Sequence, residues 1–173
     1  MAAEALVIPF LSLPLFRDLK AQQLGEIARS AERIIYHSGD TIVAEDQHSD
    51  AAILIVSGTC VRQTKSGDTT KEEILPEGSL IAELAMLIEV VHPATIVAKG
   101  QVKGLRLSRE KMQELMQSDL DLASHFSSRI LKRLHAMAKD LLTVDSLLSS
   151  SADLAMTAEQ LMLEKPATAR AVQ

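Results

Sequence analysis

Gly78-Ser-Leu-Ile-Ala-Glu-Leu-Ala-Met-Leu-Ile-Glu-Val-Val-His-Pro-Ala-Thr-Ile-Val-Ala98 is the stretch whose reading decides the fold. It opens on the turn Glu77-Gly78-Ser79 and closes on the β-rich run Ala94–Ala98. Between them lies Glu83–Glu89, rich in residues that favour helix. A single short helix between strand runs raises a functional question, because a helix N-terminus offers free amides and a positive dipole end to an anion.

Outward from this stretch, short β-rich runs fill residues 32–108. They are Arg33–His37, Thr41–Ala44, Ala51–Ser57, Thr59–Gln63, Thr70–Leu75, Ala94–Ala98 and Val102–Leu107. Turn groups separate them: Ser38-Gly39-Asp40, Ser57-Gly58, Ser66-Gly67-Asp68 and Lys99-Gly100. Short strands at roughly 8–12 residue intervals with glycine turns predict an antiparallel sandwich, roll or barrel.

Helices flank this region. Upstream, Leu24, Ile27, Ala28 and Ala31 give Leu19–Ala31 a helical spacing, and Leu13-Pro-Leu-Phe16 reads as a short anchor docked on a core. Downstream, Ser108 is suited to cap one short helix, and Asp119 a long one running to about Leu148. Along it, Ile130, Leu134, Met137, Leu141, Val144 and Leu148 alternate by three and four, an a/d seam of about three heptads. Such a seam packs against one partner helix, which predicts a homodimer; the alternative is that it covers its own roll. The tail from Ser149 opens with serines and carries one weak amphipathic segment, Ala158–Glu164, behind the capping box Thr157–Gln160.

Composition narrows the function. The chain has 173 residues, 47% hydrophobic, with a net charge of −5. The length suits one domain with an added helix or tail. An acidic balance argues against direct DNA binding, and no helix-turn-helix follows the long helix. No run of about 18 apolar residues is present to span a membrane, and the apolar start has no basic n-region of a signal peptide. One cysteine, Cys60, fits a reducing, cytoplasmic setting and reads as a small apolar strand residue. The sequence holds no phosphate-binding glycine loop, dinucleotide fingerprint, zinc-protease motif or nucleophile elbow. The five histidines form no close pair, and Glu45–Asp50 reads as a polar hairpin loop rather than a metal site. The expectation is a protein that is not an enzyme and holds no metal or cofactor.

With those residues in view, the sequence resembles the cyclic-nucleotide-binding domain family from Leu13 to about Leu142. Leu13-Pro-Leu-Phe16 matches the family's opening, and Ser38–Ile42 and Ala52–Gly58 its early strands and turns. The quoted stretch is similar to the family's cassette, Gly-x-x-Phe-Gly-Glu-Leu-Ala followed by about seven residues and Arg-Ala-Ala-Thr. The resemblance implies an α+β fold: an eight-stranded antiparallel β-roll, with an N-terminal helical segment, a short helix at Glu83–Ile88 and two C-terminal helices. It implies domain bounds of 13–149, with 1–12 an extension and 150–173 a tail. It implies cAMP or cGMP as ligand, with Glu83 accepting from the ribose hydroxyl and the amides of Leu84 and Ala85 facing the phosphate. Ala94 and Thr95 would close the cassette, with the Thr95 hydroxyl within reach of phosphate or purine.

The departures weigh as much as the matches. His92 stands where the family has the phosphate-pairing arginine, and it offers two donors only when protonated, near pH 6.5. Pro93 replaces an alanine whose amide would donate, and proline has no N–H. Ala82 replaces a glycine, so a positive φ there is costly. Two readings follow. In one, Glu83 still reads a hydroxyl and His92 grips a ligand weakly or senses pH. In the other, the cassette has lost its ligand, Glu83 is a carboxylate favoured by the helix dipole, and His92 is an ordinary surface-loop residue. The first makes the chain a weakened nucleotide sensor. The second makes it a regulatory or interaction module that acts through dimerisation or an unidentified protein partner.

Overall fold

The structure, a computed structural model, describes residues 2–142 and divides into two compact units, Met1–Arg129 and Ile130–Gln173. In the first unit α1 (Ala2–Leu11) leads into a 3-10 turn at Pro14–Phe16 and then α2 (Ala21–Ser30). Eight strands follow: β1 (Glu32–Tyr36), β2 (Thr41–Val43), β3 (Ala51–Ser57), β4 (Cys60–Ser66), β5 (Thr69–Leu75), β6 (Leu80–Ile81), β7 (Thr95–Ala98) and β8 (Val102–Ser108). A second 3-10 turn, Glu83–Met86, separates β6 from β7. After β8 come α3 (Arg109–Ser118) and the helical residues 120–129, here α4. In the second unit residues 130–142 are helical.

The strands form two antiparallel sheets of four, ordered β1-β8-β3-β6 and β2-β7-β4-β5. This is the eight-stranded roll that the resemblance implies. Seven of its strands coincide, within a few residues, with the β-rich runs. β6 escapes because two residues are too few to show an alternating pattern. α1 escapes because its sequence is apolar on nearly every side and carries Pro9, which reads against helix.

Residues alternating inward from both sheets make the central core: Val43, Ile53, Ile55, Cys60, Leu75, Ile81, Ile96, Ala98 and Val102 are all buried. Cys60 thus plays the small apolar part expected of it, and burial pushes its thiol above its ordinary pKa. A second apolar layer lies on the other face of the β1-β8-β3-β6 sheet. There α3 packs on β8 and on the cassette turn, and α2 packs on α1 and α3. The anchor works as expected, with Leu13 and Phe16 buried. Phe16 meets Phe10 and Phe126 edge-on, at centroid distances of 5.4 and 5.9 Å.

Both predicted helix caps form. Ser108 Oγ accepts from the Lys111 amide at 3.3 Å, and Asp119 Oδ1 from the Leu122 amide at 3.1 Å. The Gln23 side chain ties α2 to this second cap, donating to Asp119 Oδ2 at 3.0 Å. Hydrogen bonds from Gln23 and the Leu122 amide hold the Asp119 carboxyl below its usual pKa.

One turn shows why glycine is needed. Gly58 has φ +97°, and a Cβ built there would stand 2.5 Å from the Gln101 carbonyl oxygen. Among the described residues no helix is long and apolar enough to cross a membrane.

Candidate ligand-binding site

The cassette begins at Ala82, whose φ of 55° and ψ of 46° place it in the left-handed region. L-residues pay roughly 1–2 kcal/mol for that conformation, the cost anticipated once glycine is absent. The segment that follows is shorter and tighter than the predicted helix Glu83–Ile88. It is a 3-10 turn over Glu83–Met86, in which the Ala85 amide donates to the Ala82 carbonyl at 2.9 Å and the Leu87 amide to the Leu84 carbonyl at 2.9 Å. Downstream, Val91 bridges to His48 in extended backbone. The proline after His92 also disfavours helix just before it. The Ala85 amide, expected to face an anion, is therefore already spent within the turn. Glu83 and Leu84 are half-buried, Ala85 and Ala94 are buried, and Pro93 is exposed. Glu83 has a partner within the chain.

The phosphate side is stitched to the loop at 44–50. The Asp46 amide donates to the His92 carbonyl at 2.9 Å, and the His92 amide to the Gln47 carbonyl at 3.0 Å. The Thr95 hydroxyl accepts from the Glu45 amide at 3.1 Å, so this candidate contact is also engaged by backbone. Outside these bonds His48 Nδ1 lies 3.5 Å from Glu89, both side chains exposed.

His92 itself corrects the surface-loop reading: the residue is only 5% exposed. Its Nε2 lies 2.8 Å from Ser49 Oγ. The Ser49 hydroxyl also donates to the Ala51 carbonyl at 3.3 Å, and with that proton so placed the imidazole N–H donates to the serine oxygen. Burial, with a smaller contribution from nearby His48, holds the imidazole below its ordinary pKa of 6.5. At neutral pH the group in the arginine's place is therefore uncharged and internally partnered. Sequence reasoning had no signal for Ser49, which lies 43 residues from His92 along the chain.

The model of the family described as cyclic nucleotide-binding domain matches residues 33–119, half of the chain. The chain belongs to that family. A cAMP-dependent protein kinase regulatory subunit from Aspergillus niger is 34% identical over 104 residues, which are 60% of this chain and 25% of the relative. The chain thus spans about a quarter of the length of the kinase subunits it matches. Among solved structures, the N-terminal domain of a transcriptional regulator from Streptomyces coelicolor has a TM-score of 0.67 at 23% identity, covering 76% of this chain and 94% of that one. The regulatory domain of a Toxoplasma gondii kinase, crystallised with cAMP, has a TM-score of 0.58 at 23% identity, covering 73% of this chain and 50% of its own. At these identities the two structures speak for the fold of the family, a cyclic-nucleotide-binding β-roll. Among the described residues no three His, Cys, Asp or Glu side chains gather as a metal site.

Proposed function

We propose that this chain is a non-enzymatic regulatory module of the cyclic-nucleotide-binding family whose cassette no longer takes cAMP or cGMP with useful affinity. It signals instead through pairing of two copies or through a protein partner, in the reducing cytoplasm that a lone buried thiol suits. The observation that carries this reading is His92, buried against Ser49 with its pKa held below 6.5. A half-buried phosphate facing it at neutral pH lacks a counter-charge. Leaving a buried charge unpaired costs about 3–5 kcal/mol, and each ~1.4 kcal/mol is tenfold in affinity. Pro93 removes one more donor, and the Ala85 amide is already engaged.

Calorimetric titration with cAMP and with cGMP, at pH 6 and pH 8, tests it. The expected result is no binding heat and an unchanged melting temperature at millimolar nucleotide. The variant Ala82→Gly/His92→Arg/Pro93→Ala is expected to gain saturable binding, which ties the loss to the cassette. A submicromolar Kd for the wild type at pH 7.5 overturns the reading.

The second reading, a weakened sensor, is favoured by Glu83, which stands at the ribose position of the family's pattern. It predicts binding that strengthens as pH falls from 8 toward the His92 pKa, which lies below 6.5, because the protonated fraction rises throughout that range. A flat affinity between pH 8 and 6 excludes that mechanism.

A further inference from the structure

α3 packs on β8 of the β1-β8-β3-β6 sheet, while part of the sheet face beside α1 stays open. Strand alternation sends Arg33 and Ile35 of β1, and Lys103 and Leu105 of β8, to this face. Arg33 stands opposite Leu105 in the ladder, and Ile35 opposite Lys103. In β3 the register shifts between Ile55 and Ser57, and the residue at that irregularity, Val56, lies 42% exposed beside them. Ile35 is 53% exposed. Ala5 and Pro9, four apart on α1, form the facing wall. The result is an apolar groove of about 390 Å³ with two cations at its edge. Neither Arg33 nor Lys103 pairs with a carboxylate among the described residues, although the chain is acidic overall.

Exposed β-branched residues flanked by two cations that pair with no carboxylate among the described residues suit a complement that is both apolar and anionic. Size then decides between candidates. A peptide helix about 10 Å across, rising 5.4 Å per turn, displaces roughly 400 Å³ in a single turn. The groove therefore holds one turn at most, too little to anchor a helix. The same volume falls within the range of small-molecule sites, about 300–1,000 Å³.

We propose that this groove binds a free amphiphilic anion: one aliphatic chain lying along Ile35, Val56 and Leu105, its carboxylate set between Arg33 and Lys103. The site is separate from the cassette and does not depend on whether a nucleotide binds there.

Laurate, below its micellar concentration, is the probe, titrated calorimetrically into the 173-residue chain, with dodecanol as the uncharged counterpart. The expected result is saturable binding of one laurate per chain, with dodecanol about tenfold weaker, the ~1.4 kcal/mol expected of two exposed charge contacts. Arg33→Glu/Lys103→Glu is expected to weaken laurate by at least about the same factor. Both substitutions are on exposed side chains, so circular dichroism and melting temperature are expected to stay unchanged, separating lost binding from lost fold. Equal affinity for laurate and dodecanol, non-saturating uptake, or an unaffected double variant would each overturn the proposal. So would sedimentation with phosphatidylglycerol vesicles in the absence of laurate binding, which would make the face a membrane contact.

Discussion

Ala82 and His92 show opposite relations between a residue and its place. Ala82 adopts a conformation its side chain disfavours, with φ 55°. Replacing it by glycine relieves that strain but loosens the unfolded chain by about 0.4–1 kcal/mol. The balance predicts a net gain of roughly 0.5–1 kcal/mol for Ala82→Gly, read as a small rise in the urea midpoint. His92 fits its place only when neutral. Its folded pKa lies below 6.5, so between the two values the unfolded chain binds the extra proton and stability falls as pH falls. The loss begins below about pH 6.5 and ends once the folded imidazole has itself protonated. Wild-type melting temperature is therefore expected to drop more than that of His92→Gln between pH 7.5 and 5.5, and parallel curves would refute the link. The Asp50 carboxyl, held below its ordinary 3.8 chiefly by its hydrogen bond from Arg106, acts in a separate and more acidic window.

At the scale of elements, the strands were legible because alternation and glycine turns are local signals. The helix caps were legible for the same reason, since Ser108 and Asp119 act on amides three residues ahead. What was not legible rests on contacts distant in sequence. α1 gains order from the α2 helix it packs against rather than from its own pattern. The cassette was predicted as a longer helix because its composition favours one, yet Val91 pairs with His48 and the turn closes early. Ser49, the partner of His92, belongs to a loop whose sequence reads only as polar. The ring stack of Phe10, Phe16 and Phe126 draws on three separate elements. Truncating its middle member, Phe16→Ala, is expected to cost about 3–5 kcal/mol in a denaturation experiment, well above an exposed control such as Leu120→Ala.

For the molecule as a whole, the seam predicted on the long helix bears on how output leaves the roll. Ile130 is half-buried, while Leu134, Met137 and Leu141 are exposed at 42, 49 and 69%. Val144 and Leu148 lie outside the described residues, as do Ser149, the segment Ala158–Glu164 and the rest of the tail. On the proposed reading the exposed row is covered by a second copy. Light scattering is expected to give a dimer for the wild type and a monomer for Leu134→Glu/Leu141→Glu; a monomeric wild type would refute the pairing.

The hydrogen bonds that sew residues 45–47 to 92 and 95 carry one last consequence. A switch transmits information only through the free-energy gap between two arrangements, and a messenger acts by widening or closing that gap. On the proposed reading, a roll that fastens its own loop in this way holds one arrangement whether or not a messenger arrives. Such a chain then reports how many copies of itself are present, because pairing answers to concentration. Its control would then pass from a metabolite to the synthesis and removal of the protein.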